Sequence, residues 1–153
     1  MYNTILVPHG GTSAGDQALK HAKYIAKNSS AKIVILNVIM PWSNPFFEEL
    51  PDDDNTTHDQ IKSLLSNVED NVRKFLAERV AQCRQEGLKC DGIFRTGNPS
   101  NSIIKYANEE NVDLIVMAKK KKSTADYISL FKIGGTVKKV QEKAECSILL
   151  VET

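Results

Sequence analysis

The sequence predicts an α/β protein with an open, five-stranded parallel sheet in the order 3-2-1-4-5 and helices on both faces. Short, continuously apolar runs alternate along the chain with segments in which apolar residues recur at helical spacing. Strands that are separated by helices pair in parallel, through crossovers that are almost always right-handed. The first and fourth runs are the most apolar, so we expect these strands to be neighbours at the buried centre of the sheet.

Length and composition limit the classes of protein to which the chain can belong. Its 153 residues predict one domain, 1–153, which is large enough to bury a continuous core. Twenty basic and nineteen acidic residues give a formal net charge of +1, so the overall charge does not indicate a nucleic-acid partner. We expect a cytoplasmic protein with no membrane partner, because no apolar run approaches a membrane span and the N-terminus lacks a basic leader.

The cysteines do not form a recognisable framework. Cys83, Cys90 and Cys146 are odd in number and lack a CxxC or a Cys/His ligand spacing. This pattern favours reduced thiols over disulfides or a zinc site. We interpret the three residues as small, partly buried hydrophobic side chains.

The start of the chain predicts a strand, a helix and a second strand. Thr4–Val7 is a continuous apolar run closed by Pro8, which is typical of a central strand. A glycine-containing turn follows, with Thr12 or Ser13 as the candidate N-cap of a helix whose apolar stripe contains small residues. Lys32–Ile39 is again continuously apolar and predicts the second strand.

The middle of the chain predicts a loop, a long helix and an edge strand. Met40–Thr57 contains three prolines, an aromatic cluster and a run of three aspartates, and we interpret it as a packed surface loop. An apolar stripe then begins near His58 and predicts a crossover helix with Gly87 as its C-cap. Leu88–Arg95 predicts the third strand, whose more polar composition suits an edge position.

The last third of the chain repeats the alternation of helix and strand. Gly97–Ser100 predicts a turn and a helix start, and Asp113–Met117 predicts the fourth, buried strand. The cationic run Lys119–Lys122 follows, and the chain enters another helical pattern through Gly134–Thr136. Ser147–Val151 predicts a fifth strand.

The predicted topology brings two loops to one crevice. In a 3-2-1-4-5 sheet the chain reverses direction between strands 1 and 4, and ligands bind there, beyond the carboxyl ends of the strands. The loops at that point are Pro8–Ser13 and Ala118–Thr136. Backbone N–H groups at a helix start, beside lysine ammonium groups, form a favourable site for phosphate. We interpret His9 as a turn or pocket-lining residue rather than a catalytic base, because no nucleophile is identifiable beside it.

Several segments, in their order and spacing, resemble the universal stress protein family along the whole chain. They are the opening ILVP, the strand IVILNVI, the turn GNP, the strand DLIVM and the closing AECSILLV. The resemblance implies an adenine nucleotide alpha hydrolase-like fold with the same five-stranded sheet. It also implies a cytoplasmic protein, usually a homodimer, in which the C-terminal strand 147–151 pairs with its two-fold mate. Some members of the family bind ATP and others do not.

The nucleotide-binding members of the family resemble one another in a Gly-x2-Gly-x9-Gly-Ser/Thr motif after the fourth strand and an aspartate after the first. In this chain the first two glycine positions fall on Ala118 and Lys121, and the aspartate position falls on Gly10. The third glycine position falls on Gly134 or Gly135, and in the second case Thr136 matches the hydroxyl position. Two family glycines and a carboxylate are therefore missing.

If a nucleotide binds, the resemblance assigns a role to each matching position. The backbone of Val38 would lie by the adenine, and the turn after the first strand would line the base and ribose. The end of the fourth strand would run beneath the ribose and phosphates, and Gly134–Thr136 would donate N–H bonds to the phosphates. The complete set of candidate residues is Pro8, His9, Gly10, Val38, Met117, Ala118, Lys119, Lys121, Gly134, Gly135 and Thr136.

Two functions stay open from the sequence. One is a regulatory stress protein with a degenerate crevice for ATP or AMP, with Mg²⁺ accompanying the nucleotide. The other is a nucleotide-free homodimer that acts through protein partners, which Gly10, Ala118 and Lys121 favour. An enzyme is not predicted, because a Walker-type motif and an obvious water-activating carboxylate near Lys119 are both lacking. A specific nucleic-acid partner is not predicted either, because only Tyr127 supplies an aromatic ring near the lysines.

Overall fold

Five parallel strands and four helices make up the computed structural model, which describes residues 1–40, 55–119 and 135–153. In chain order the elements are β1 (Thr4–Pro8), α1 (Ser13–Ser29), β2 (Lys32–Ile39), α2 (Asn55–Gln85), β3 (Cys90–Thr96), α3 (Pro99–Glu109), β4 (Leu114–Lys119), α4 (Gly135–Lys143) and β5 (Ser147–Glu152). The sheet order is β3-β2-β1-β4-β5, and every pairing is parallel. The predicted order of strands is therefore confirmed.

The three central strands are continuously apolar because helices cover both faces of the sheet. One core layer, which we call the α1/α2 layer, lies between the sheet and helices α1 and α2, and the other, the α3/α4 layer, lies on the opposite face. Side chains of a strand alternate between the two layers. In β1, Ile5 and Val7 belong to the α1/α2 layer, whereas Leu6 belongs to the α3/α4 layer. Among the described helices, none has both the length and the apolar character that a membrane crossing requires.

The predicted helix ends are found in the structure. Thr12 is the N-cap of α1, and its hydroxyl oxygen accepts a hydrogen bond from the Gly15 backbone N–H at 3.3 Å. Asn98 caps α3, and Pro99 occupies the first turn, where its missing N–H costs no hydrogen bond. Gly87 follows α2 with a φ of +79°, as expected of a C-cap glycine.

The strand boundaries differ from the prediction at β3 and β4. The prediction ended the fourth strand at Met117, but β4 continues to Lys119, because β5 pairs with it as far as Glu152. Strand β3 begins at Cys90 rather than Leu88, because Leu88 lies in the turn that closes α2. The first residue of β3 and the last residue of β4 are set by pairing with a neighbouring strand. The apolar pattern of the sequence does not show where such pairing begins or ends.

The predicted loop Met40–Thr57 lies mostly outside the described residues, at 41–54, and its last three residues belong to α2, which begins at Asn55 rather than near His58. Most of the lysine-rich loop, 120–134, also lies outside the described residues.

Candidate functional site

Strands β1 and β4 separate at the edge of the sheet where the strands have their carboxyl ends. Their pairing ends at Leu6 and Ile115, although β1 continues to Pro8 and β4 to Lys119. Each of the two strands stays paired with its outer neighbour up to its last residue. A gap therefore opens between them at the topological switch point, where ligands bind in sheets of this type. We call this gap the switch-point crevice.

Four of the candidate residues lie at the carboxyl ends of their strands on the face of the sheet that carries the α3/α4 layer. Val38 and Met117 pack in that layer, and the alternation along each strand puts Pro8 and Lys119 on the same face. Met117 is buried, Pro8 and Val38 are half-buried, and Lys119 is exposed. Ala118 packs on the opposite face. In the described part of the chain, the crevice thus has an apolar floor, with the ammonium group of Lys119 at its rim.

Gly135 and Thr136 are the first two residues of α4. The first N–H groups of a helix have no partner within the helix, and the helix dipole favours an anion there. Gly135 is exposed, and a Cβ added to it would meet no atom within 4 Å. Gly10, at the position of the family aspartate, is also exposed, and a Cβ added to it would meet no atom within 4 Å. Lys121 and Gly134 lie outside the described residues.

The His9 side chain is buried away from the switch-point crevice. It is 2% exposed, and its ring lies 4.7 Å from the ring of Phe75, centroid to centroid, under α1 and α2. The His9 backbone N–H donates to the carbonyl of Leu36 at 2.8 Å, and the His9 carbonyl accepts from Asn37 Nδ2 at 2.9 Å. His9 is therefore a turn residue that can offer the crevice its backbone but not its imidazole.

Both nitrogens of the His9 imidazole are engaged. The backbone N–H of Gly11 donates to Nδ1 at 3.0 Å, so the ring proton is on Nε2, which donates to Asp16 Oδ1 at 3.1 Å. Burial lowers the pKa of His9, Asp16 opposes this effect, and the charge of Arg79 adds to it. The imidazole is thus held neutral as a structural link between β1 and α1.

Arg79 of α2 completes the network from the other side of Asp16. Its Nε and Nη2 atoms donate to the two carboxylate oxygens at 2.7 and 3.2 Å. This paired hydrogen bond is the main reason that the pKa of Asp16 is lowered. The guanidinium also lies 5.2 Å from the centre of the Phe75 ring. His9, Asp16 and Arg79 therefore tie the turn after β1 to both helices of the α1/α2 layer.

The residues that hold this turn were not predicted from the sequence. Asn37 interrupts an otherwise apolar strand, and Gly15 stands in the first turn of a helix, where glycine is unfavourable. A residue type that does not suit its own strand or helix indicates that the residue makes a contact with another part of the chain. Asn37 supplies the amide that binds the His9 carbonyl, and Gly15 leaves the space that the imidazole fills. No comparable signal in the sequence identifies Arg79.

Comparison with known sequences gives a consistent result over the whole chain. A family model described as the universal stress protein family matches residues 1–152. Universal stress protein MJ0531 of Methanocaldococcus jannaschii is 29% identical over 153 residues, covering 99% of this chain and 83% of the relative. Universal stress protein YxiE of Bacillus subtilis is 25% identical over 156 residues, covering 99% of both chains.

Solved structures share the fold at lower identity. MJ0577 of M. jannaschii superposes with a TM-score of 0.77 at 22% identity, covering 100% of this chain and 97% of that chain. An Arabidopsis thaliana protein of the same family, At3g01520 with AMP bound, gives a TM-score of 0.65 at 14% identity, with coverages of 98% and 91%. A universal stress protein in complex with cAMP gives 0.63 at 19% identity, with coverages of 99% and 97%.

Proposed function

Because the chain belongs to the universal stress protein family, we propose that it is a regulatory protein whose switch-point crevice binds ATP or AMP. The observation that carries this proposal is the early end of the pairing between β1 and β4, which leaves an apolar gap at the switch point. The structures of two relatives with AMP and with cAMP support an adenine nucleotide as the ligand class.

In the proposed complex, the apolar residues of the crevice contact the nucleoside, and the cationic rim contacts the phosphates. Val38 and Pro8 offer half-buried apolar surface to the base and ribose, and Met117 forms the floor. The first N–H groups of α4, at Gly135 and Thr136, donate to the phosphates. Mg²⁺ would accompany a triphosphate as its counter-ion, bound by phosphate oxygens and water.

We propose binding without turnover, in a cytoplasmic protein. A general base must come within hydrogen-bond reach of the proton that it abstracts. The imidazole of His9, the candidate that the sequence placed at the crevice, points into the α1/α2 layer and is engaged at both nitrogens. The buried position of the His9 imidazole therefore supports a regulator that responds to a ligand, rather than a hydrolase.

Reversing the charge at the rim should weaken binding of ATP by between about threefold and about thirtyfold at low salt. Lys119 is exposed, and an exposed charge pair contributes at most about 1 kcal/mol, so Lys119→Glu removes that attraction and adds a repulsion of similar size. The effect should be smaller for AMP and should shrink as ionic strength rises. Isothermal titration of ATP and AMP, after assay of the purified protein for bound nucleotide, measures both effects.

The matched control for Lys119→Glu is Lys89→Glu. Lys89 is exposed too, but it precedes β3 at the amino-end edge of the sheet, opposite the crevice. Its reversal changes the net charge equally and should leave the affinity within about twofold. The proposal fails if the wild-type protein neither carries nor binds a nucleotide, or if the two reversals weaken binding equally.

The second candidate function is a homodimer that acts through protein partners, and the exposed edge of β5 favours it. β5 is an outer strand of the sheet, and its apolar residues Ile148, Leu149 and Leu150 are half-exposed. No described strand pairs with the outer edge of β5, and an apolar edge strand of this kind is prone to pair with another copy. An isologous dimer through 147–151 would cover it, with or without a nucleotide in the crevice.

Introducing a charge on this edge should convert a dimer into a monomer. We expect Leu150→Lys to halve the mass measured by multi-angle light scattering, because a buried, unpaired ammonium opposes association. Leu64→Lys is the control, since Leu64 is an exposed apolar residue of α2, 47% exposed and remote from β5. A monomeric wild-type protein, or equal dissociation by the two variants, would contradict the dimer proposal.

A further inference from the structure

In the described part of the chain, a groove of about 690 Å³ runs along the outer edge of β3. Because β3 and β5 are the two outer strands, this edge lies across the sheet from β5 and away from the switch-point crevice. One wall of the groove is the strand itself, from Asp91 to Arg95. The other wall is one face of α2, formed by Arg73, Leu76, Ala77, Val80 and Arg84. We call this feature the β3 groove.

A glycine in β3 lets α2 lie directly beside this edge. A Cβ added to Gly92 would lie 3.0 Å from Cγ2 of Val80 and 3.2 Å from Cβ of Leu76, so a larger residue would push the helix away. Ala77, on the same face of α2, is exposed. An extended segment laid along β3 would therefore contact this face of the helix.

Every second residue of β3 directs its backbone groups to the outer edge. The Lys89 carbonyl accepts from the Ile33 N–H at 2.9 Å, and the Gly97 N–H donates to the Ile39 carbonyl at 2.9 Å. The parallel pairing of β2 with β3 is continuous between these two bonds. The odd-numbered residues of β3 therefore bond to β2, and the even-numbered residues direct their N–H and C=O groups outward.

Two of the outward-facing residues have backbone groups that are free to pair. The Cys90 carbonyl accepts from Arg84 Nε at 3.0 Å, which confirms the outward direction of the even-numbered residues. Among the described residues, no group bonds to the backbone N–H or C=O of Gly92 or Phe94 on this side. These groups are the template that strand addition requires.

The β3 groove carries a net positive charge. Asp91 is the acidic residue among the described ones that line it, and its carboxylate is paired with Arg84 Nη2 at 3.1 Å and with Lys32 Nζ at 2.5 Å. Arg73 and Arg95 are exposed, and no carboxylate of the described residues pairs with either guanidinium. The groove therefore favours a ligand with negative charge.

The arginines of α2 mark the two ends of the β3 groove. Arg84 reaches the first residue of β3, whereas the guanidinium of Arg73 lies 4.8 Å from the centre of the Phe94 ring, near the end of the strand. The two arginines are about three helical turns apart, a distance of about 16 Å. About five residues of extended chain span this distance, at roughly 3.3 Å per residue.

We propose that the β3 groove binds an extended segment of a partner protein, with carboxylates at both ends and apolar residues between them. The segment adds to the sheet beside β3, through the outward backbone groups of Gly92 and Phe94. Its carboxylates contact the arginines, and its apolar side chains cover Ala77 on one face and Ile93 on the other. A second copy of this chain does not suit the edge, because the same arginines would face each other. The inference goes beyond the nucleotide crevice and the β5 dimer and depends on neither.

The test uses an acetylated, amidated peptide of three valines flanked on each side by two glutamates. Titrated into ¹⁵N-labelled protein at low salt, it should shift the amide signals of Gly92 and Phe94 but not that of Met117, with a Kd below about 1 mM. The same peptide with methylated backbone nitrogens keeps its charge but cannot donate to β3. It should bind at least about tenfold more weakly.

Charge reversal on the protein tests the role of the arginines. The double variant Arg73→Glu with Arg95→Glu should weaken binding of the peptide at least about fivefold. Its control is Lys139→Glu with Lys143→Glu, which changes the net charge equally on exposed positions of α4, the helix that leads into β5. The control should leave the Kd within about twofold.

Four results would overturn the proposal. The first is the absence of binding at about 1 mM peptide, and the second is equally tight binding of the methylated peptide. The third is an equal loss of affinity in the two double variants. The fourth is a wild-type dimer, measured by light scattering, that reversal of Arg73 and Arg95 dissociates, because a second copy would then cover the β3 edge.

Discussion

Gly15→Ala should lower the free energy of unfolding by about 3 kcal/mol, the upper part of the range for overpacked cores. A Cβ at this position would lie 2.4 Å from Nδ1 of His9 and 2.6 Å from its Cε1. The ring cannot move aside cheaply, because Gly11 and Asp16 hold its two nitrogens and the side chain is buried. The better helix propensity of alanine, about 1 kcal/mol, offsets only part of this loss. Urea denaturation followed by circular dichroism measures the change.

The control and the rescue for this substitution come from the same turn. Gly10→Ala should change stability by less than about 0.5 kcal/mol, because its Cβ would meet no atom within 4 Å and its φ is not positive. In the double variant Gly15→Ala with His9→Ala the clash disappears. Its total loss should be smaller than the sum of the single losses by about 1–3 kcal/mol. If Gly15→Ala is as stable as Gly10→Ala, the imidazole does not occupy the space beside α1.

The strands were predictable because both faces of the sheet are covered. A strand buried on both sides must be continuously apolar, and Lys32–Ile39 has the same bounds in the prediction and in β2. The third predicted strand is more polar than the others, and the prediction that it lies at an edge of the sheet is confirmed. Once the strands and crossovers are located, the switch point between β1 and β4 follows from topology alone.

The interior of the site was less predictable because its contacts join distant parts of the chain. Arg79 and Asp16 are separated by 63 positions, and neither residue type indicates the other in advance. The direction of the His9 side chain has a local cause. Ile5 and Val7 face the α1/α2 layer, and the alternation of β1 continues through the turn to position 9. The turn after the first strand therefore predicts the place of His9 at the crevice, whereas the direction of its imidazole follows from the alternation along β1.

Lowering the pH below about 6.5, the value for a histidine in an unfolded chain, should destabilise the protein. Burial is the largest cause that lowers the pKa of native His9, so between its native and unfolded pKa values the unfolded chain binds one more proton. Stability therefore rises with pH in that interval, and the contribution is fully present above the unfolded value. The slope should reach at most about 1.4 kcal/mol per pH unit. Urea denaturation at a series of pH values measures it.

A non-titrating side chain at position 9 should remove this slope, whatever it does to the stability itself. His9→Asn is the test variant. His21→Asn is its control, because His21 is exposed on α1 and outside the network of His9, Asp16 and Arg79.

Asp16, whose pKa is also lowered, affects stability at more acidic pH, since an unfolded aspartate titrates near 3.9. Protonation of His9 would put a hydrogen on Nδ1 against the Gly11 N–H, so acid should loosen the turn beside the crevice. Equal slopes in His9→Asn and wild type would remove the basis for this link.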